Sequence, residues 1–252
     1  MKQLLYNIFN IMIKQILESF YNWLLPTKCI LCNNTDIFIN GIFCSDCFAK
    51  ITIIQEPICK KCGKLFTVGM PIDSLCNECE KNGRLFIYAR SLLLYDKLAQ
   101  KIVLDIKTTA NSNVAHACCL LLFNRYKELF DNTDFIVSVP SHWTRTLYRG
   151  FNPADIIARE LSIISGIPVN RSLRRIRYTE YQHKKNRQER LKNLSNAFMC
   201  NNATLDNKTV LLVDDVFSTG TTLNECTRAL LQAGVISVNC LTIASTRADY
   251  YN

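Results

Sequence analysis

Apolar positions recur along this chain with two periods, and the switches between them mark its elements. Residues 1–25 place Leu5, Ile8, Phe9, Met12, Ile16, Phe20, Trp23 and Leu24 on one side of a helix that Pro26 ends. Ile87 to Tyr95 is an apolar strand or hairpin, Lys97 to Ile106 reads as a helix with Lys107 after it, and residues 113–130 read as a second helix. Phe135 to Val139 is a short strand closed by Pro140, and Pro153 suits the first turn of a helix running to Ile164. Ile167 to Asn170 is a further short strand. Val210 to Val213 is a buried strand, a helical pattern follows through Leu223, Cys226, Ala229 and Leu230 to Gly234, and Val238 to Ala244 is the last strand. Buried strands alternating with helices are the pattern of an α/β sheet.

Composition changes the picture between the first helix and Ile87. Eight of the 13 cysteines form four CxxC pairs: Cys29/Cys32, Cys44/Cys47, Cys59/Cys62 and Cys76/Cys79. One CxxC turn brings two thiolates to a tetrahedral zinc, and two turns close a four-cysteine site with no open position for substrate. The spacing predicts structural Zn2+, one or two ions, in a double ribbon too small to hold a core. Metal binding then supplies folding energy, ~10–16 kcal/mol per site. Adjacent pairs sharing a metal and the first pair joining the third both satisfy the spacing. Metal spacing of this kind points to a reducing cytosol rather than a secreted disulfide framework. Cys118, Cys119, Cys200, Cys226 and Cys240 read as small core hydrophobes. The expected domains are therefore a helix over 1–26, a double zinc ribbon over 27–84 and an α/β domain over 85–252.

At 48% apolar and 20% charged, the 252 residues predict a packed core. No secretory signal and no membrane span is expected. The N-terminal helix is read as docking on the protein, as a partner helix or as a membrane-surface helix. Only Lys2 and Lys14 are basic on it, which weighs against anionic lipid.

Chemistry concentrates after Val213. Asp214 and Asp215 are followed by the hydroxyl-rich turn Ser218, Thr219, Gly220, Thr221, Thr222 and then by a helix. Free N–H groups at a helix start, with added hydroxyl donors, make an anion cradle. Two carboxylates beside it suit a ligand that also carries sugar hydroxyls or a metal. A second strand–loop–helix, after Pro140, carries Arg145, Arg149 and Gly150 and is a second anion candidate. His116 and His183 lack the neighbours that would mark a catalytic base.

The net charge of +9 is uneven, since Arg171 to Lys192 holds nine basic residues against Glu180 and Glu189. With little apolar periodicity, this block is expected to be exposed and mobile. Arg174, Arg175, Arg177, Lys184, Lys185 and Arg187 interleave with Tyr178 and Tyr181, a pattern suited to single-stranded nucleic acid. The same residues suit a hood over a polyphosphate.

Val210 to Thr222 closely resembles the phosphoribosyl-pyrophosphate (PRPP) motif of type I phosphoribosyltransferases. That resemblance implies a type I phosphoribosyltransferase-like parallel sheet flanked by helices, here with a small N-terminal zinc-ribbon domain. It implies that Asp214 and Asp215 accept from the ribose hydroxyls and that Ser218 to Thr222 hold the 5′-phosphate. Lys107, Arg145, Arg149 and Gly150 then serve the pyrophosphate, with Mg2+ accompanying PRPP. Nearly the whole chain resembles the ComF family of competence proteins. The marks are Pro26-x-x-Cys29, Lys107, Pro140, Arg149-Gly150-Phe151-Asn152, Arg175, Thr179, Gln182, Arg190, Asn193, Ala197 and Phe198. Pro153 and Lys185 depart from that family's usual Gln and Leu. The family implies a cytoplasmic protein that handles incoming single-stranded DNA in natural transformation, with other DNA-uptake proteins as partners. The alternative is an active phosphoribosyltransferase using PRPP and an unidentified base or amine. The nucleophilic-cysteine half of a glutamine-using enzyme is not expected, since residue 2 is Lys and the first cysteine lies in a CxxC.

Overall fold

The computed structural model describes residues 28–35, 42–66, 71, 73–141, 143–176, 196–201 and 203–248. The expected N-terminal helix and residues 177–192 of the basic block lie outside these. The chain divides into two compact units, residues 1–50 and 51–252. That division falls inside the 27–84 span expected for the double ribbon.

In the first unit, Cys29 N–H donates to the Asn34 carbonyl (2.7 Å) and Ile30 N–H to Ile42 (3.2 Å). Helix α1, Ser45–Phe48, is capped by the Cys44 thiol, which accepts from Cys47 N–H. The second unit opens with the other CxxC pairs and helix α2, Asn77–Asn82. Next come β1 (Ala89–Leu94), α3 (Lys97–Thr109), α4 (Ser112–Arg125), β2 (Phe135–Ser138) and α5 (Trp143–Arg149). The chain continues through α6 (Pro153–Ser165), β3 (Val169–Asn170), β4 (Leu173–Arg175) and β5 (Phe198–Cys200). It ends with β6 (Thr209–Phe217), α7 (Thr221–Gln232) and β7 (Ser237–Ser245).

Five strands make one parallel sheet in the order β1-β7-β6-β2-β3, while β4 and β5 pair antiparallel. Val210 to Val213 are fully buried, as a parallel strand covered on both faces requires. Helices start where side chains satisfy free N–H groups. The Asp96 carboxylate accepts from Leu98 and Ala99 at 2.9 Å for α3, and Asn152 accepts from Ala154 at 3.3 Å for α6. From β2 the chain moves outward to β3, whereas from β6 it moves the other way to β7. Right-handed crossovers then send α6 and α7 to opposite faces. Connections leaving adjacent strands in opposite directions open a crevice at the carboxyl ends of β2 and β6, where α/β sheets bind ligands.

Residues 51–66 are stitched to the sheet. Ile54 N–H donates to Leu92, Leu94 to Thr52 and Ala89 to Lys61, each at 2.9 Å. At Gly63 (φ +66°) a Cβ would stand 2.4 Å from the Ala89 carbonyl oxygen, so this close approach admits only glycine.

Four expectations are corrected. β6 runs on to Phe217 because its pairing with β7 continues through Asp214↔Thr242 and Phe217↔Ser245, so both aspartates lie within the strand. The stretch after Pro140 is not all loop. It forms α5, which ends where Gly150 (φ +79°) donates its N–H to Thr146. The helix expected over 113–130 stops at Arg125, where buried Tyr126 leaves helical geometry (ψ 44°) and donates its hydroxyl to the Ser91 carbonyl (3.1 Å). The start of the basic block is ordered: Leu173 is buried, and β4 pairs with β5.

Candidate functional site

The two cysteine clusters resolve the open pairing. Cys29, Cys32, Cys44 and Cys47 form one group and Cys59, Cys62, Cys76 and Cys79 the other, each with its sulfurs within 4.8 Å of one another. Cys32 Sγ lies 3.7 Å from Cys44 Sγ, and Cys62 Sγ lies 3.6 Å from Cys76 Sγ. Thiolates around a tetrahedral zinc with Zn–S of ~2.3 Å stand roughly 3.8 Å apart, so both clusters fit the ion. Backbone N–H groups of Cys62 and Cys76 donate to Cys59 Sγ at 3.5 and 3.3 Å. The side-chain bond from Cys62 holds the Cys59 thiol well below its ordinary range, while the same contact pushes Cys62 far above it. A cation is what lets all four carry charge.

At the crevice, β6 delivers the acidic pair. Successive residues of a strand face opposite sides of the sheet. Asp215 turns to α3, where its carboxylate pairs with Lys107 Nζ at 3.1 Å. Asp214 turns to the α7 side, where its charge raises the already burial-raised thiol of Cys226. Burial, and then the neighbouring Asp215 charge, push the Asp214 carboxyl up to about 8, against the bond it accepts from Asp215 N–H (2.8 Å). The pair therefore holds a proton near neutral pH until a cation or a hydrogen-bond donor arrives.

The turn beyond it is shaped by Gly220 (φ +78°), the N-cap of α7, where a Cβ would stand 2.7 Å from the Phe217 ring. Glycine brings no side-chain acceptor, so the first N–H groups of α7 are left to the loop and to a ligand. Thr219 Oγ1 meets Thr221 Oγ1 at 3.0 Å and accepts from Thr221 N–H at 3.4 Å. Ser218 is exposed, Thr222 is half-buried, and the Ser218 carbonyl accepts from Thr246 Oγ1 (3.3 Å).

A residue that the sequence did not reveal supports this turn. Arg84 lies just after the ribbon helix α2, is 6% exposed, and donates from Nη2 to the Thr219 carbonyl at 2.8 Å. Glu78 holds the same guanidinium at 3.3 Å. Next along the chain, Leu85 N–H donates to Asn224 Oδ1 of α7 (2.9 Å) and Ile87 N–H to the Val238 carbonyl (2.8 Å). The second ribbon thus ends as a strap across the loop. A lone arginine after Gly83 carries no motif that would have marked this contact.

The second candidate loop lies on the β2 side of the crevice, since Ser138 pairs in register with Val213. Asn152 Nδ2 anchors its end to the Val139 carbonyl (3.0 Å), and Ser138 Oγ donates to the Asp155 carboxylate. Arg145 lies on α5, its side chain outside the described residues, and Arg149 is exposed at the end of α5. Gly150, Arg174 and Arg175 line one cavity of about 570 Å³ with Pro140, Ser141 and Thr146. Gly150 of the anion-loop candidates and Arg174 and Arg175 of the nucleic-acid candidates therefore share one surface. Arg174 is exposed, while Arg175 is half-buried with its guanidinium 5.6 Å over the Phe198 ring. Arg177, Tyr178, Tyr181, Lys184, Lys185 and Arg187 lie outside the described residues. His116 Nδ1 meets the Glu160 carboxylate at 2.9 Å, away from these groups. Among the described residues no helix is long and apolar enough to cross a membrane.

Residues 20–80 match the double zinc ribbon domain and residues 108–252 match the phosphoribosyl transferase domain. The chain is similar to competence protein ComFC of Bacillus subtilis, with 26% identity over 235 residues, covering 85% of this chain and 93% of that protein. It is similar to competence protein F of Haemophilus influenzae, 28% identical over 226 residues with 86% and 94% covered. DNA utilization protein YhgH of Salmonella typhi is 29% identical over 228 residues, with 88% and 98% covered.

The raised Asp214 carboxyl fixes a sign. Its folded value, about 8, lies above the ordinary 3.8, so the folded chain binds this proton more tightly. The stability it contributes is complete below about pH 4 and is lost as the pH rises through about 8. Metal-loaded wild type should lose stability between about pH 5 and pH 8 relative to Asp214→Asn, on the order of 1–3 kcal/mol. Parallel pH profiles of thermal unfolding for the two chains check this.

Proposed function

This chain belongs to the ComF family, a phosphoribosyl transferase domain behind a double zinc ribbon, and from that premise we propose that it binds PRPP or a related phosphoribosyl ligand and handles incoming single-stranded DNA during natural transformation, in the cytoplasm. The observation that carries the ligand reading is the meeting of Asp214, Asp215 and Lys107 with the glycine-capped turn 218–222 at the β2/β6 crevice. In this reading the 5′-phosphate takes the N–H groups and hydroxyls of Ser218 to Thr222. The ribose hydroxyls donate to Asp214 and Asp215. The pyrophosphate lies toward Lys107 and the loop carrying Arg145, Arg149 and Gly150. Mg2+ arriving with PRPP supplies charge neutralisation, and the hard carboxylate oxygens of the acidic pair are of the kind that suits it.

Asp214 accepts from a hydroxyl and meets Mg2+ more strongly as a carboxylate, so binding near neutral pH should favour release of its proton to buffer. Calorimetric titration of PRPP with Mg2+ should therefore show heats that depend on the buffer's ionisation enthalpy. Asp214→Ala with Asp215→Ala should lose at least about 100-fold in affinity, as expected when hydrogen bonds to two charged groups are removed. Unchanged affinity in that double variant contradicts the ribose role. The domain match also favours a second reading, an active transferase from PRPP to a base or amine. A product search with candidate acceptors decides between binding and turnover.

For DNA, the support is the basic cluster around β4, where Arg171 and Arg174 are exposed and Arg174 lines the cavity beside the crevice loop, together with the competence and DNA-utilization names of the relatives. With about four phosphate contacts, log K against log salt should have a slope of roughly −3 on a single strand. Neutralising Arg171, Arg174, Lys184 and Lys185 together should weaken binding to all sequences and flatten that slope, while PRPP affinity holds. Lost PRPP affinity with intact DNA binding makes the block a hood over the ligand instead.

A further inference from the structure

A cavity of about 470 Å³ opens on the far side of the turn 218–222, between it and the second cysteine cluster. Its charged lining is Lys64, Lys81 and Arg84 against Glu78, and Ser218 and Thr219 form its shared wall with the loop. Lys64 is 8% exposed, with its ammonium 5.6 Å over the Phe217 ring. Arg84 spends Nη2 on the Thr219 carbonyl, yet its Nε is buried without a hydrogen-bond partner among the described residues. That N–H is closed to solvent, so recognition of an anion in the cavity falls to the cationic groups that line it, Lys64, Lys81 and the outer guanidinium of Arg84. Cys62 and Cys76 of the cysteine cluster line it too, so with zinc bound the wall has no net positive excess, and what an anion meets is the local grouping of Lys64, Lys81 and Arg84. At this volume the cavity admits a phosphate group with room for what it carries.

We propose that this cavity is an anion subsite continuous with the phosphate loop, which takes a second phosphate attached to the 5′-phosphate of a ligand. It rests on the reading of Ser218 to Thr222 as the 5′-phosphate cradle. PRPP ends in a 5′-monophosphate and does not fill it. A nucleoside 5′-diphosphate does: its α-phosphate lies on the loop, and its β-phosphate meets Lys64, Lys81 and Arg84. The ribbon then contributes recognition as well as fold, because every cation of the subsite stands on residues 64–84.

The test compares AMP and ADP as competitors of PRPP on the full-length, zinc-loaded chain. ADP should compete at least about tenfold better than AMP, one charge-assisted contact being worth that much. Lys64→Met with Lys81→Ala should reduce the advantage to about twofold or less and leave AMP unchanged. Lys81→Ala alone, at an exposed position on α2, keeps the fold and should lower the advantage by about threefold. ADP no better than AMP in the wild type, or an advantage that survives both variants, overturns the inference. If PRPP and AMP both fail to bind, the phosphate-loop reading is wrong and the subsite falls with it.

Discussion

Four thiols within reach of one cation hold residues 59–66 and 73–79 in place, and the loop at the end of β6 depends on the strap of residues 84–87 just beyond them. Cys59 and Cys79 bracket a segment whose described part has almost no regular secondary structure and sends Phe66 into the core. Its order comes from the cluster and from the bonds that stitch residues 51–66 to β1. From its end Arg84 reaches the Thr219 carbonyl, and Leu85 and Ile87 tie the same stretch to α7 and β7. A charge-assisted hydrogen bond buried at 6% exposure is costly to lose, because the carbonyl and the guanidinium are both stranded. The metal site therefore acts at a distance, by fixing the strap that fixes the turn.

The crevice carries a tension that fits a ligand site. Two adjacent carboxylates in a strand repel, and burial raises the cost for Asp214. Lys107 pairs directly with Asp215 and only partly offsets the upward push on Asp214. A sheet built only for stability would place apolar residues there, as it does at Val210 to Val213.

Much of this was legible in the sequence, and the reasons differ by element. The β6 strand, its aspartates and the turn to α7 were readable because buried strand, acidic pair and hydroxyl loop coincide within a short stretch. The CxxC turns were readable as metal spacing, but not which turns share a metal, since sequence distance does not order four equivalent pairs. Strand β4 escaped because three residues, one of them apolar, carry no period. Helix α5 escaped because its flanking Pro140 and Gly150 read as loop. The end of β6 lies beyond what its sequence marks, since aspartates seldom extend a strand unless a neighbour such as β7 continues the ladder. Arg84 was invisible, because a contact between residues 84 and 219 is set by the packing of the ribbon on the sheet.

Hydrogen exchange on the full-length chain, before and after metal is stripped, tests the central claim that the second cluster holds the turn 218–222. Exchange should rise together in residues 59–84 and at the amides of 218–222, while the buried amides of Val210 to Val213 stay protected. Opening of 59–84 with unchanged protection at 218–222 would contradict it.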